Sequence, residues 1–139
     1  MAPPRTGAPL AETAWQQVDT PALLVDVGRL EANIADMAAT FADRGVALRP
    51  HFKTTKCLAV AERQRAAGAI GFTCSTPAEV QALGLAGFGG LLWAHLPVGP
   101  AKVAAAVSFA GEWGVTVFVD SMAVAAPLSD AAVAHGVVV

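Results

Sequence analysis

The sequence has little charge and few aromatic groups: 14% of its 139 residues are Asp, Glu, Lys or Arg, and it contains no tyrosine. Its formal net charge is -2 at pH 7, which argues against electrostatic binding of nucleic acid or of an anionic membrane surface. No apolar run approaches the roughly 18 residues that a membrane span needs. The sequence therefore predicts a globular protein with neither a nucleic-acid partner nor a membrane partner.

Cysteine is also scarce, because Cys57 and Cys74 are the only two, and their spacing is not that of a zinc knuckle or a redox pair. Residues 1–18 are rich in Pro, Ala and Gly and lack the continuous apolar region of a secretory signal. We expect residues 1–18 to form a flexible leader. Without an export signal, we expect two free thiols in a reducing, cytoplasmic compartment.

Segments typical of strands and of helices alternate along the rest of the chain. Strand-like runs begin near Val46, Ile70, Leu91, Val115 and Val137, at intervals of 24, 21, 24 and 22 residues. A helix-like segment fills each interval. Such alternation predicts βαβ units and a parallel sheet.

The first helix-like segment follows a short β run over 21–27. Four apolar residues recur in it at helical spacing: Leu30, Ile34, Met37 and Phe41. This spacing predicts an amphipathic helix.

Two other helices carry local signals. Thr76, Pro77 and Glu79 have the spacing of an N-cap, a first helical position and the acidic member of a capping box. Pro127 lies inside the helix-like segment that ends near residue 136. We expect this proline to break that helix.

An open doubly wound sheet and a closed (β/α)8 barrel both show this alternation. The dinucleotide-binding form of the first has three glycines after its first strand, and residues 26–33, DVGRLEAN, contain one. We therefore predict an α/β fold of the (β/α)8 barrel type. A whole barrel typically needs about 250 residues, so about four β/α units and one strand make half of one. We expect a fragment or one part of an assembly, ending in an unpaired strand.

Positive charge is concentrated in residues 47–56, ALRPHFKTTK, which we call the basic segment. Alternation along a strand over 46–52 places Arg49, His51 and Lys53 on one face. Lys53 then lies at the carboxyl end of the strand, where barrels build active sites. An amine that is near other cations and partly desolvated has a lowered pKa and attacks carbonyl groups to form a Schiff base. A solvated basic loop over 53–56 explains the same charges and stays open.

Two further side chains lie at the ends of predicted strands, and each has two interpretations. His95 lines the same site, or it is a hydrogen-bonded histidine near the barrel mouth. Asp120 is a counter-ion for Arg49 or Lys53, or it only precedes a helix capped by Ser121.

The remaining candidates favour structural roles. We expect Thr73 and Cys74 to pack rather than to line a site. His135 suits the end of a helix, where its charge is favourable, and we assign it no chemistry. The tryptophans are expected to pack rather than to form a stacking platform; they are Trp15, Trp93 and Trp113.

Three segments carry a resemblance to a known family: DTPALLVDVGRLEANI, GVALRPHFKTTKCLAVAERQRAAGAIGFTCSTPAEV and LLWAHLPVGPAK. They resemble the N-terminal part of the D-threonine aldolase and D-serine dehydratase-like enzymes. These belong to the alanine racemase-like (fold type III) group, which uses pyridoxal 5'-phosphate. The most specific element is R-P-H-x-K-T-x-K at residues 49–56, and the resemblance runs from about residue 19 to residue 121.

The resemblance implies a domain organisation and a site. Residues 29–139 would be the N-terminal half of the cofactor-binding barrel, and a strand over 19–28 would belong to a separate β-domain. Lys53 would be the catalytic residue that carries the cofactor as a Schiff base. The cofactor-binding residues that the resemblance implies are Lys53, His51, Arg49, Thr54 and His95.

The activity implied is that of a lyase acting on small D-amino acids, with the cofactor ring as electron sink. The reaction is either cleavage of Cα–Cβ in a D-3-hydroxy amino acid or loss of its α-proton and β-hydroxyl. Family members use a divalent metal whose ligands lie in the β-domain, so no metal site is expected here. Full-length members commonly form homodimers.

The missing parts limit this prediction. If the 139 residues were the whole molecule, we would expect weak or no cofactor binding and no turnover. Two alternatives stay open: a non-catalytic barrel of the pyridoxal-phosphate homeostasis type, and an inactive vestigial fragment.

Overall fold

The computed structural model describes residues 17–139, so the predicted leader lies almost wholly outside the described residues. Helices and strands alternate as predicted. The elements are α1 (Val27–Ala42), α2 (Leu58–Ala66), β1 (Phe72–Cys74), α3 (Pro77–Leu85), β2 (Leu91–Trp93), α4 (Pro100–Trp113), β3 (Thr116–Val117) and α5 (Met122–His135). The three strands form one parallel sheet in the order β1-β2-β3.

A fourth extended segment lies beside β1. His51 forms an isolated parallel bridge with Thr73, the Ile70 N–H donates to the Leu48 carbonyl at 2.9 Å, and the Thr73 N–H donates to the Pro50 carbonyl at 2.8 Å. The strand predicted here is thus reduced to one bridge, because Pro50 has no N–H to donate. Neighbouring segments of the sheet are consecutive in the chain, which is the order of a barrel and not of a sheet that reverses at a switch point.

Helices cover one face of the sheet, which we call the covered face. Phe72, Cys74, Leu91 and Trp93 point to this face, and each is at most 1% exposed. Helix α3 contacts both β1 and β2, and side chains of α2, α4 and α5 complete the hydrophobic core. Full burial of such side chains contributes about 1.5–3 kcal/mol each, so this face holds the fold together.

The opposite face of the sheet, which we call the open face, carries the alternate residues of the same strands. Thr73, Leu92 and Thr116 occupy one row across it, and His51 extends that row through its bridge to Thr73. None of the four belongs to the core cluster of the described residues. The open face therefore takes no part in packing the helices.

Close packing of α3 against α4 depends on a glycine, because a Cβ on Gly84 would meet the indole ring of Trp113. Trp113 stacks on Phe109 with ring centroids 5.3 Å apart, and Phe109 lies edge-on to Trp93 at 6.4 Å. The packing role predicted for Trp93 and Trp113 is confirmed, whereas Trp15 lies outside the described residues.

The described structure contains no strand over 19–28, and the assignment of this run to a separate β-domain stays a prediction, because the strands it would pair with lie outside the sequence. Helix α1 already begins at Val27, with Asp26 as its N-cap accepting a hydrogen bond from the Arg29 N–H at 3.0 Å. The residues before it pair with no strand in the described chain, and Leu23 is fully exposed. An extended segment becomes a strand only when another strand supplies its hydrogen bonds.

The predicted amphipathic helix is α1. Leu30, Ile34 and Phe41 are half-buried, while Met37 is more than half exposed. The helix lies against α2. Within residues 17–139, no helix combines the length and the apolar character needed to cross a membrane.

Thr76 caps α3 as predicted. Its Oγ1 accepts a hydrogen bond from the Glu79 N–H at 3.3 Å, and Pro77 stands at the first helical position. The Glu79 carboxylate does not return to the backbone of Thr76. It accepts the N–H of Ser75 at 2.8 Å instead, so the capping box is shifted by one residue.

The break predicted at Pro127 is wrong, because α5 runs through it without interruption. Alanine-rich neighbours favour the helix, and the buried side chains of Leu128 and Ala132 hold it on the core. The strand predicted over 137–139 is also not found in the described chain. The Val137 N–H donates to the Ala132 carbonyl at 3.0 Å, which closes the end of the helix.

Candidate functional site

The basic segment lies at the carboxyl end of the sheet. Arg49 and His51 are half-buried on the side of the open face, and a 3-10 turn (Phe52–Thr54) follows them. Phe52 anchors this turn in the core, where it is 5% exposed. Lys53 therefore stands at the strand end, in the position predicted for it.

The surroundings of Lys53 differ from the prediction in one respect. Its side chain is exposed, as are the other residues of the turn through Lys56, so the partial desolvation expected of Lys53 is wrong for the described chain. The reason is that no described helix or strand lies over the open face. The alternative of a solvated basic loop correctly predicts that residues 53–56 are exposed. The two lysines of this loop nevertheless differ in their contacts.

His51 is held by two neighbours. Its Nδ1 accepts a long hydrogen bond from the Lys53 N–H at 3.4 Å, and its Nε2 lies 3.4 Å from the Ser75 hydroxyl. Burial and the positive charge of Lys53 lower the pKa of His51, while the Glu79 carboxylate opposes them. The imidazole is therefore neutral at pH 7, with its proton on Nε2 because Nδ1 is the acceptor.

Arg49 and Lys53 have no carboxylate partner within residues 17–139. The Nε of Arg49 is shielded from solvent and has no hydrogen-bond partner in the described structure. A shielded N–H without an acceptor is unfavourable. Two cations arranged in this way suit an anionic ligand that carries phosphate or carboxylate oxygens.

Lys56 differs from Lys53 because it has a partner. Its Nζ lies 3.5 Å from one oxygen of Glu79, whose side chain is 5% exposed. Glu79 is the one buried charged residue of the described chain, and a buried carboxylate needs a cation. Sequence reasoning placed Glu79 at the start of α3 and missed this second role, because no pattern of spacing links it to Lys56.

Two threonines brace the basic segment. The hydroxyl of Thr54 donates to the His51 carbonyl at 3.1 Å, and that of Thr73 donates to the Arg49 carbonyl at 3.1 Å. Both hydroxyls therefore use their protons on the backbone of this segment.

The structure brings neither His95 nor Asp120 into contact with the basic segment. His95 is exposed and makes no hydrogen bond or ion pair among the described residues. Asp120 accepts a hydrogen bond from the hydroxyl of Ser121 at 3.0 Å, and Ser121 is the N-cap of α5. Of the two interpretations of Asp120, the structure favours the position before a helix.

The packing role predicted for Cys74 is confirmed: it is fully buried, and burial raises the pKa of its thiol to about 12, with a smaller contribution from Glu79. His135 ends α5, with its Nδ1 2.8 Å from the Ala131 carbonyl. No group of three His, Cys, Asp or Glu side chains that could hold a metal occurs in the described part of the chain.

Two curated proteins are similar in sequence. A D-threonine aldolase from Arthrobacter sp. is 39% identical over 135 residues, which are 96% of this chain and 34% of that protein. A D-threo-3-hydroxyaspartate dehydratase from Delftia sp. (strain HT23) is 47% identical over 77 residues, or 55% of this chain and 20% of the relative. The chain therefore spans at most about a third of these relatives.

Solved structures agree. The crystal structure of D-threonine aldolase from Filomicrobium marinum superimposes with a TM-score of 0.84 at 37% identity, over 88% of this chain and 33% of that one. A variant of D-threo-3-hydroxyaspartate dehydratase gives 0.79 at 36% identity, over 86% of this chain and 31% of that one. Residues 25–139 match the family described as alanine racemase, N-terminal domain. The predicted barrel-type fold and the resemblance are thereby confirmed, and the chain belongs to the alanine racemase N-terminal domain family.

Proposed function

We propose that this chain is the cofactor-holding, N-terminal part of a pyridoxal 5'-phosphate-dependent lyase acting on D-3-hydroxy amino acids. Lys53 is the amine through which the cofactor is held. The two relatives support the substrate class, because both are named for D-configured amino acids with a 3-hydroxyl group. The observation that carries the proposal is the contrast between two neighbouring lysines: Lys56 is paired with Glu79, and Lys53 has no carboxylate partner within residues 17–139.

The described residues fit the cofactor in charge and in position. The shielded Nε of Arg49 lacks an acceptor within the described residues, and oxygens of an anionic group would supply one. The carboxyl end of a parallel sheet is where barrel enzymes bind their ligands. When bound, pyridoxal 5'-phosphate supplies an electron sink for the negative charge that develops on the substrate.

The chain's own groups have separate tasks in this proposal. The amine of Lys53 holds the cofactor and serves as a base on one face of the substrate. The guanidinium of Arg49 orients an anionic group. His51, neutral at pH 7 because its pKa is lowered, orients the Lys53 backbone through Nδ1.

Reduction with borohydride in the presence of excess pyridoxal 5'-phosphate tests the assignment. Reduction makes the attachment permanent, so label accumulates even where reversible binding is weak. We expect Lys53→Ala to lose most of the label and Lys56→Ala to retain it. In the wild-type chain, the Lys56 amine must leave Glu79 before it can react. This costs on the order of 1 kcal/mol and should lower the labelling of Lys56 roughly fivefold. Loss of label in Lys56→Ala, with retention in Lys53→Ala, would show that Lys56 is the amine.

A further inference from the structure

The turn that carries Lys53 ends in an unusual backbone conformation. Lys56 has φ of 46°, and it is the one non-glycine residue with positive φ in the described chain. This conformation costs an L-residue roughly 1–2 kcal/mol. The turn is closed by the N–H groups of Thr55 and Lys56, which both donate to the Phe52 carbonyl, at 3.2 and 2.9 Å. A strained turn of this kind persists only when its surroundings hold it.

Both ends of the turn are connected to one buried carboxylate. At the far end, one oxygen of Glu79 lies 3.5 Å from the Lys56 amine. At the near end, the other oxygen accepts the Ser75 N–H at 2.8 Å, and the Ser75 hydroxyl lies 3.4 Å from Nε2 of His51. His51 in turn accepts the Lys53 N–H. Lys53 therefore stands between two residues that Glu79 fixes.

We infer that Glu79 is a positioning residue for Lys53, acting through Lys56 on one side and through Ser75 and His51 on the other. Glu79 does not act on the substrate or the cofactor. It fixes the backbone of the turn and keeps the competing amine of Lys56 occupied. The consequence for catalysis rests on the proposed function, whereas the effect on the turn does not.

Amide hydrogen exchange of Thr55 and Lys56 tests the inference without any cofactor. Glu79→Gln keeps an oxygen for the Ser75 N–H but removes the charge that holds Lys56. Exchange at these two amides is expected to become about fivefold faster. Glu62→Gln is the matched control, because Glu62 also pairs with a cation, Arg65, but on an exposed surface. It is expected to leave the turn unchanged.

Two variants of Lys56 leave Glu79 itself unchanged at the start of α3. They therefore test the ion pair without altering the capping of that helix. Lys56→Gln removes the pair from its exposed end and is expected to reproduce the faster exchange. Lys56→Arg supplies a cation for Glu79 and is expected to keep the wild-type rates. If exchange at the turn stays at the wild-type rate in both Glu79→Gln and Lys56→Gln, the inference is overturned.

Borohydride labelling adds the functional consequence. In Glu79→Gln, the ratio of label on Lys53 to label on Lys56 is expected to fall about fivefold or more, because Lys56 is released. An unchanged ratio would overturn the positioning of Lys53, while label on Lys53 in the wild-type chain would still support the proposed function. Absence of label on Lys53 in the wild-type chain would instead contradict the proposed function, and the exchange rates would still decide the role of Glu79.

Discussion

The two faces of the sheet are made from adjacent residues of the same strands, yet they meet opposite demands. On the covered face, Cys74 and Trp93 are at most 1% exposed and sit in the core. On the open face, Thr73 and His51 lie outside the core cluster, beside an arginine Nε that lacks an acceptor in the described structure. Side-chain volume therefore determines which residues suit the covered face, whereas charge and hydrogen bonding determine which residues suit the open face.

The largest expected difference between the faces is in the free energy of unfolding. Trp93→Ala removes a side chain that is 1% exposed, and such truncations cost about 3–5 kcal/mol. Thr73→Ala, on the other face, removes one hydrogen bond to the Arg49 carbonyl, worth about 1 kcal/mol. Urea unfolding monitored by circular dichroism measures both. Equal losses would show that the open face is also a packing surface.

The covered face also predicts a loss of stability in alkali. The pKa of Cys74 is raised from its ordinary 9.0 to about 12, so the unfolded thiol releases its proton at a lower pH than the native one. The corresponding stability is present below pH 9 and is lost as the pH rises towards 12. Between pH 8 and pH 10 the free energy of unfolding should fall by about 1.4 kcal/mol on this account.

Cys74→Ala is expected to flatten this alkaline dependence, at the expense of some stability at neutral pH. Cys57 supplies the control, because it is exposed. Cys57→Ala should keep the wild-type dependence. A dependence that persists in Cys74→Ala would assign the alkaline loss to other groups.

The open face predicts a smaller effect in acid. The pKa of His51 is lowered by burial and by the charge of Lys53, so the unfolded chain binds a proton at a higher pH than the native chain. His51 therefore does not change the free energy of unfolding above its ordinary pKa of 6.5. It lowers the free energy of unfolding as the pH falls through that value. Unfolding midpoints of His51→Gln should depend less on pH between 7 and 5 than those of the wild type. His95→Gln, at an exposed position, is the control; equal slopes for both variants would contradict the assignment.

Local signals in the sequence located the helices, although the break they predicted at Pro127 did not occur. The strands depended on long-range pairing. Thr76 and Pro77 start α3 where expected, because capping involves only neighbouring residues. The runs over 21–27 and 137–139 read as strands, but no described strand pairs with them. Pairing is a property of two segments, so the composition of one cannot establish it.

The candidate site was predictable in part for the same reason. Alternation along the predicted strand grouped Arg49, His51 and Lys53. The structure keeps Arg49 and His51 half-buried beside β1, whereas Lys53 is exposed in the 3-10 turn that follows them. The contact between Lys56 and Glu79 joins two elements that no periodic pattern relates. It distinguishes the two lysines only once the fold is known.

The central claim is that the amine of Lys53, and not that of Lys56, is the one that binds an aldehyde cofactor at this end of the sheet. Peptide mass spectrometry of the wild-type chain, reduced with borohydride in pyridoxal 5'-phosphate, tests it most directly. The account predicts that the pyridoxyl group lies on Lys53 in at least about fivefold excess over Lys56. Label spread evenly over the exposed lysines, or concentrated on Lys56, would contradict it.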